Sequence, residues 1–142
     1  MENIKAFFSE NAVQVENVEV EVSKRFIGAD KKPIPWEIRV LDSTEFDRIV
    51  NQCKKRVPDP SNPRQQMTIT DSKQLVDRLI VETVVSPNLN DQELQNSYGV
   101  MDGESLVKKM LTPGEYVDLG AAVQQAQGFE VGMSEKIKEA KN

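Results

Sequence analysis

Between Asp91 and Gly128 the chain sets its own helix boundaries, and this stretch, DQELQNSYGVMDGESLVKKMLTPGEYVDLGAAVQQAQG, limits what the rest can become. Asp91 is an N-cap residue by type, Leu94 and Tyr98 follow as an i, i+4 apolar pair, and Gly99 suits the left-handed position at which helices stop. Asp102 and Gly103 predict a turn. After it, Leu106, Val107, Met110 and Leu111 paint one helical face, while Lys108 and Lys109 fall off that face near the C-terminal end, where cations complement the dipole. Thr112-Pro113-Gly114-Glu115 is a second start signal: threonine caps, proline suits the first helical position, and Glu115 stands where a capping box needs it. Tyr116, Leu119, Gly120, Val123 and Gln127 form the next face, ended by Gly128. The small residues Gly120, Ala121 and Ala122 admit a close helix neighbour, even though glycine inside a helix costs about 1 kcal/mol against alanine. The stretch predicts a compact helical unit whose apolar residues are mostly core.

Upstream the period changes to two. Val18, Val20 and Val22 alternate with Glu19, Glu21 and Ser23, and Trp36, Ile38 and Val40 alternate with Glu37 and Arg39. The turn-rich Gly28 to Pro33 lies between them, so the region from about 18 to 41 predicts a β-hairpin with one buried and one charged face. A bare two-stranded hairpin is marginal in water, so helices must cover its apolar side, with Trp36 as the expected anchor. Before it, Ile4, Phe7 and Phe8 mark a short amphipathic helix. Its apolar side either docks on the core or stands out as an arm for a partner, and docking is the expectation, because terminal apolar residues commonly tie a chain end down.

Ser43 or Thr44 is expected to cap the next helix, with Asp47 completing the start signal. Phe46, Ile49, Val50 and Cys53 then follow at core spacing, and Lys54, Lys55 and Arg56 are expected to finish the helix as dipole complement. Cys53 on the buried face reads as a structural thiol. The three prolines between Pro58 and Pro63 predict an extended loop within one domain. Asp71 or Ser72 caps a longer helix bearing Leu75, Val76, Leu79, Ile80, Thr83 and Val84, the expected central core helix. Its end is β-prone at Val81, Val84 and Val85, and Ser86-Pro87 stops it. The reading is an α+β fold: an N-terminal β-hairpin packed against a mainly helical domain of four to six helices, residues 1–131, with a charged and frayed tail over 132–142.

Composition narrows function mainly by exclusion. The apolar fraction of 38% and mean hydropathy of -0.51 lie at the polar end of globular chains, short of the disordered regime. No run approaches the roughly eighteen apolar residues of a membrane span, and MENIKAFFSEN lacks the features of a secretory leader. The single cysteine suits a reducing compartment, so cytoplasm is the expectation. The net charge of -5 comes wholly from residues 58–142, which carry thirteen acidic and eight basic side chains. That balance repels phosphate backbones, so neither nucleic acid nor membrane is an expected partner. With no histidine, one cysteine and no phosphate-binding glycine loop, the usual catalytic and metal constellations lack their parts. No catalytic, metal or cofactor residue is assigned, and binding or assembly outranks catalysis.

Three segments together resemble a known family. VSKRF followed across a turn by PWEIRVLD is similar to its strand-turn-strand opening, and VSPNLNDQELQNSYGV with MLTPGEYVDLGAAV is similar to its helical second half. The family is the XkdN-like tail assembly chaperones of tailed phages and prophages of Gram-positive hosts, and the resemblance runs from about Ala6 to Gly128. It implies a non-enzymatic protein of the host cytoplasm that binds the long, helix-rich tape-measure protein, assists polymerisation of the tail tube protein around it, and is absent from the mature virion. It also implies a gene between those for tail tube and tape measure, often with a longer product made by programmed frameshifting. The terminal Ala140-Lys141-Asn142 is compatible with a slippery codon run, which the gene sequence would decide. Partner contact is expected around Leu106, Met110, Tyr116 and Leu119, although core packing explains each of them singly. The competing reading is a structural tail completion or connector protein retained in the virion.

Overall fold

Every long helix begins at a side chain that accepts a backbone N–H, and these caps set the architecture. In the computed structural model, which describes residues 3–129, the element order is β1 (Val18–Val20), β2 (Trp36–Ile38), α1 (Ser43–Gln52), β3 (Lys54–Asp59), β4 (Asn62–Thr70), α2 (Ser72–Thr83), β5 (Val84–Ser86), α3 (Gln92–Ser97), α4 (Gly103–Met110) and α5 (Pro113–Ala126). Asp71, Asp91 and Thr112 cap α2, α3 and α5 as expected, Thr112 with Glu115 closes a capping box, and Asp102, expected with Gly103 in a turn, instead caps α4, whose first residue is Gly103. Gly99 and Gly128 follow their helices at φ 69° and 94°, left-handed positions that glycine takes without strain. The fold is α+β.

The predicted first hairpin is present, with Glu19 opposite Glu37 and Val20 opposite Trp36. It gains a third antiparallel strand, because the β-branched end of the central helix leaves α2 at Thr83 and runs on as β5 beside β2, giving the order β1-β2-β5. The inner face of this sheet, Trp36, Ile38 and Val84, joins Ile49 and Cys53 of the α1 end, Leu79 and Ile80 of α2, Leu106, Val107 and Met110 of α4, and Leu119 and Val123 of α5 in one buried cluster. Burial pushes the Cys53 thiol pKa up, as an inert structural cysteine requires.

Four local expectations are corrected. Asp42, not Ser43 or Thr44, caps α1, and Glu45 rather than Asp47 returns its carboxylate to the cap. Helix α1 stops at Gln52, so Lys54, Lys55 and Arg56 do not end a helix but open β3, paired with Thr70, Ile69 and Thr68. The proline segment is therefore not a loop, and the region after residue 41 is not helices alone: β3 and β4 form a second, two-stranded hairpin. Both of its strands are edges, so a proline N–H missing from an outward-facing position costs no ladder bond. Asp59 fixes the turn by accepting from the Ser61 N–H at 2.8 Å and hydroxyl at 2.7 Å. Fourth, Ile4–Phe7 is a single 3-10 turn, and Ile4, Phe7 and Phe8 stay exposed rather than docking on the core. The residues 132–142 read as a frayed tail lie outside the described part.

Arg25, in the β1–β2 connection, joins the two halves. One of its guanidinium nitrogens donates to the Met110 carbonyl at 2.7 Å and to Glu115 Oε1 at 2.6 Å, while the same Glu115 oxygen accepts from the Thr112 N–H at 2.9 Å. The end of α4 and the start of α5 are thus held from the sheet side. At the far end of α5, Gln127 accepts from the Leu41 N–H at 2.7 Å and donates to the Arg39 carbonyl at 2.9 Å. The Arg25 guanidinium first, then the Ser23 hydroxyl and the Thr112 N–H, hold the Glu115 carboxyl down at about 2 against an ordinary 4.5. A carboxylate with a depressed native pKa stabilises fully above its unfolded value and loses that contribution as pH falls through the native one. Glu115→Gln should therefore melt at a lower temperature than the parent at pH 7. The gap should close as the pH is lowered from 4.5 towards about 2, read by circular-dichroism melts across that window.

Candidate functional site

Helices α2, α4 and α5 meet around a carboxylate that has left water. Asp77 projects from α2 and is only 7% exposed. Its Oδ1 accepts the hydroxyl of Tyr116 from α5, and its Oδ2 lies 3.2 Å from Nζ of Lys108 on α4. The same ammonium stands 5.7 Å from the centre of the Tyr116 ring and 3.9 Å from Glu104, one turn earlier on α4. Burial, and then the bond to Asp77, push the Tyr116 phenol pKa well above its usual value of 10, so this tyrosine is a hydrogen-bond donor. The Lys108 side chain is more than a third exposed, so its ion pair contributes little, and the nearly dry hydroxyl–carboxylate bond is the stronger tie.

Beside this network the surface opens into an apolar groove. A hollow of about 420 Å³ runs between α2 and α5, lined by Lys73, Val76, Tyr116, Val117, Gly120, Ala121 and Gln124 with Asp77. A second, of about 360 Å³, continues past Tyr116 to Leu111, Pro113 and Lys108, and the two share Lys73 and Tyr116. Gly120 fixes the floor: a Cβ there would stand 3.0 Å from Cγ1 of Val76, so its missing side chain lets α5 lie against α2. Val117, 69% exposed, forms an apolar rim. On the other side of Asp77 a polar hollow of about 520 Å³ is bounded by Gln74, Arg78, Asn90, Gln95, Asp102 and Glu104.

The four residues expected at a partner surface separate here. Leu106, Met110 and Leu119 lie in the core, at 0%, 5% and 1% exposure, and only Tyr116 reaches the groove. Truncating Leu106 would leave a cavity, an expected loss of about 2–5 kcal/mol that reports on folding and not on a surface. Asp77 escaped the sequence reading, yet a signal for it was available. It sits three, four and seven residues before Ile80, Val81 and Val84, an acid inside an apolar helical stripe. Among the described residues no group of three acidic or cysteine side chains converges to hold a metal, and no helix is long and apolar enough to cross a membrane.

Comparison with known proteins identifies the lineage. The model of the phage XkdN-like tail assembly chaperone protein matches residues 4–141, almost the whole chain. The chain belongs to that family. Two relatives from Bacillus subtilis (strain 168) are similar along their length: the uncharacterized protein YqbN, 27% identical and covering 99% of this chain and 93% of its own, and the phage-like element PBSX protein XkdN, 24% identical and covering 99% and 94%. The crystal structure of YqbN superposes with a TM-score of 0.74 at 23% identity, over 92% of this chain and 99% of that one, which establishes the shared fold. Membership of a tail assembly chaperone family implies a non-enzymatic role among phage tail proteins.

Asp77→Ala leaves the Tyr116 hydroxyl and the Lys108 ammonium without their acceptor and should lower stability by about 1–3 kcal/mol in urea denaturation, against about 0.5–1.5 kcal/mol for Tyr116→Phe. Because the two share one bond, the double variant should lose at least about 0.5 kcal/mol less than the sum of the singles. Additive losses would mean the bond does not tie α2 to α5.

Proposed function

We propose that this chaperone holds an amphipathic helical segment of the tape-measure protein in the α2–α5 groove. It keeps that protein from aggregating until the tail tube protein polymerises around it, acts in the host cytoplasm and leaves before the virion is complete. No bond in the substrate is made or broken in this reading. The observation that carries it is the groove itself, an open apolar furrow floored by Val76, Gly120 and Ala121 and walled by Tyr116 and Val117. Amphipathic helices are recognised by furrows of this kind, through side chains at i, i+3, i+4 and i+7. Lys73 and Lys108 on its borders suit the acidic flank of such a helix.

Co-expression with the tape-measure protein encoded downstream, followed by pull-down and a solubility assay, tests it. The tape-measure protein should become soluble and co-purify. Val117→Asp, on an exposed rim where the fold does not need the valine, should weaken capture on the order of tenfold while leaving the melting temperature within about 2 °C. An insoluble, uncaptured tape-measure protein together with this chain in purified particles would instead make it a structural tail subunit. Capture unchanged by Val117→Asp would move the binding surface away from the groove.

A further inference from the structure

The β3–β4 hairpin is charged against the rest of its own chain. Residues 54–70 carry four basic side chains and one acidic one, a balance of +3, so the remaining chain carries -8. Pairing of Lys54 with Thr70 and Arg56 with Thr68 puts both cations on one face, and Arg64 lies further along the hairpin, where the register shifts. Over the regular part of the ladder, from Lys54 to Pro58, no acid shares that face. Lys54 donates to the Thr70 hydroxyl at 3.1 Å, and Arg56 and Arg64 form no ion pair among the described residues. All three are exposed.

The three-stranded sheet shows the opposite pattern. Its inner face is core, but on its outer face Glu19 stands directly across from Glu37, and the exposed Glu21 follows β1. Like charges placed opposite each other weaken a sheet. Glu37 accepts from the Asn17 amide at 2.8 Å, yet none of the three glutamates meets a cation among the described residues. Along extended chain, Glu19 and Glu21 repeat the two-residue interval of Lys54 and Arg56, about 7 Å.

We propose that the basic face of the hairpin in one copy docks on the acidic outer face of the β1–β2 sheet in a second copy. The occupant follows from charge complementarity. A nucleic acid drawn to the hairpin would meet the -8 of the rest of the chain, whereas a second copy presents that excess as the attracting surface. Because the two surfaces differ, a joined pair keeps one of each free, and the contact propagates into chains or closes into a ring. It uses neither the groove nor the tape-measure protein, so its failure would leave the proposed function standing.

The test is sedimentation velocity of the full chain at about 20 mM and about 500 mM salt, a range over which exposed ion pairs become screened. The parent should self-associate reversibly at low salt and dissociate at high salt. Lys54→Glu/Arg56→Glu and Glu19→Lys/Glu37→Lys, each checked for folding by circular dichroism, should each weaken association on the order of tenfold or more. An equimolar mixture of the two should recover it, since each variant then supplies the surface the other lacks. If a double variant does not fold, Arg56→Glu with Glu37→Lys serves in the same scheme. A parent that stays monomeric at low salt, association indifferent to the reversals, or a mixture of folded variants that does not reassemble would overturn the proposal. Hairpin reversal that spares self-association and abolishes capture of the tape-measure protein would also overturn it, by giving the hairpin to that partner.

Discussion

Asp77 sits on the central helix almost out of water, and the placement of α4 and α5 follows from what a carboxylate needs there. Burying an unpaired charge costs several kcal/mol, so α2 can occupy the middle of the fold only if its neighbours bring donors to that point. Tyr116 and Lys108 do so from two different helices. With those contacts made, the stripe of α5 that bears Gly120 is turned onto Val76, and the absent side chain lets the helices close. The groove is a consequence of this arrangement. A small-residue floor and a half-buried tyrosine leave apolar surface that the chain does not cover itself.

The second tie, Arg25, acts on α4 and α5 from the β1–β2 connection. It reaches the last carbonyl of α4 and the first-turn carboxylate of α5 together, so the short α4–α5 junction is gripped at both of its polar ends. Helix termini expose backbone groups that need partners, and here one side chain from the β1–β2 connection donates to the α4 carbonyl and holds Glu115, whose carboxylate accepts from the Thr112 N–H at the start of α5. Sheet and helical unit are therefore joined by directional bonds as well as by the apolar cluster, while the base of the β3–β4 hairpin is closed by the Asp71 N–H, which donates to the Cys53 carbonyl at 2.7 Å, with Lys55 4.0 Å from the Asp71 carboxylate.

How much of this was legible in the sequence depended on whether the cause was local. Asp91, Thr112 and Glu115 announced their helices because a cap is decided within four residues, whereas Asp102, which caps α4, reads with Gly103 as a turn. The first hairpin was legible from its alternation, and Val84 and Val85 hinted at the strand that β5 became. Pro58, Pro60 and Pro63 misled, because proline forbids a strand only where its N–H is required, and that depends on which strands lie alongside. Lys54 to Arg56 were read as a helix end for the same reason: nothing local tells a basic last turn from a basic first strand. At the candidate site only Tyr116 was found. Leu106, Met110 and Leu119 follow the helical period faithfully, and that period marks the side facing inward. A surface offered to a partner is recognised by the opposite sign, apolar residues such as Val117 that fall outside the period.

The two surfaces the chain leaves uncovered differ in the force that would fill them. The groove is apolar, and a helix entering it would be held mainly by removal of hydrocarbon from water, which salt weakens little. The hairpin and the outer sheet face are charged and exposed, so contacts between them fade within a Debye length of about 8 Å at physiological ionic strength. Binding a client and binding another copy could therefore be adjusted separately, one by the client's apolar pattern and the other by ionic conditions or by a competing charged surface.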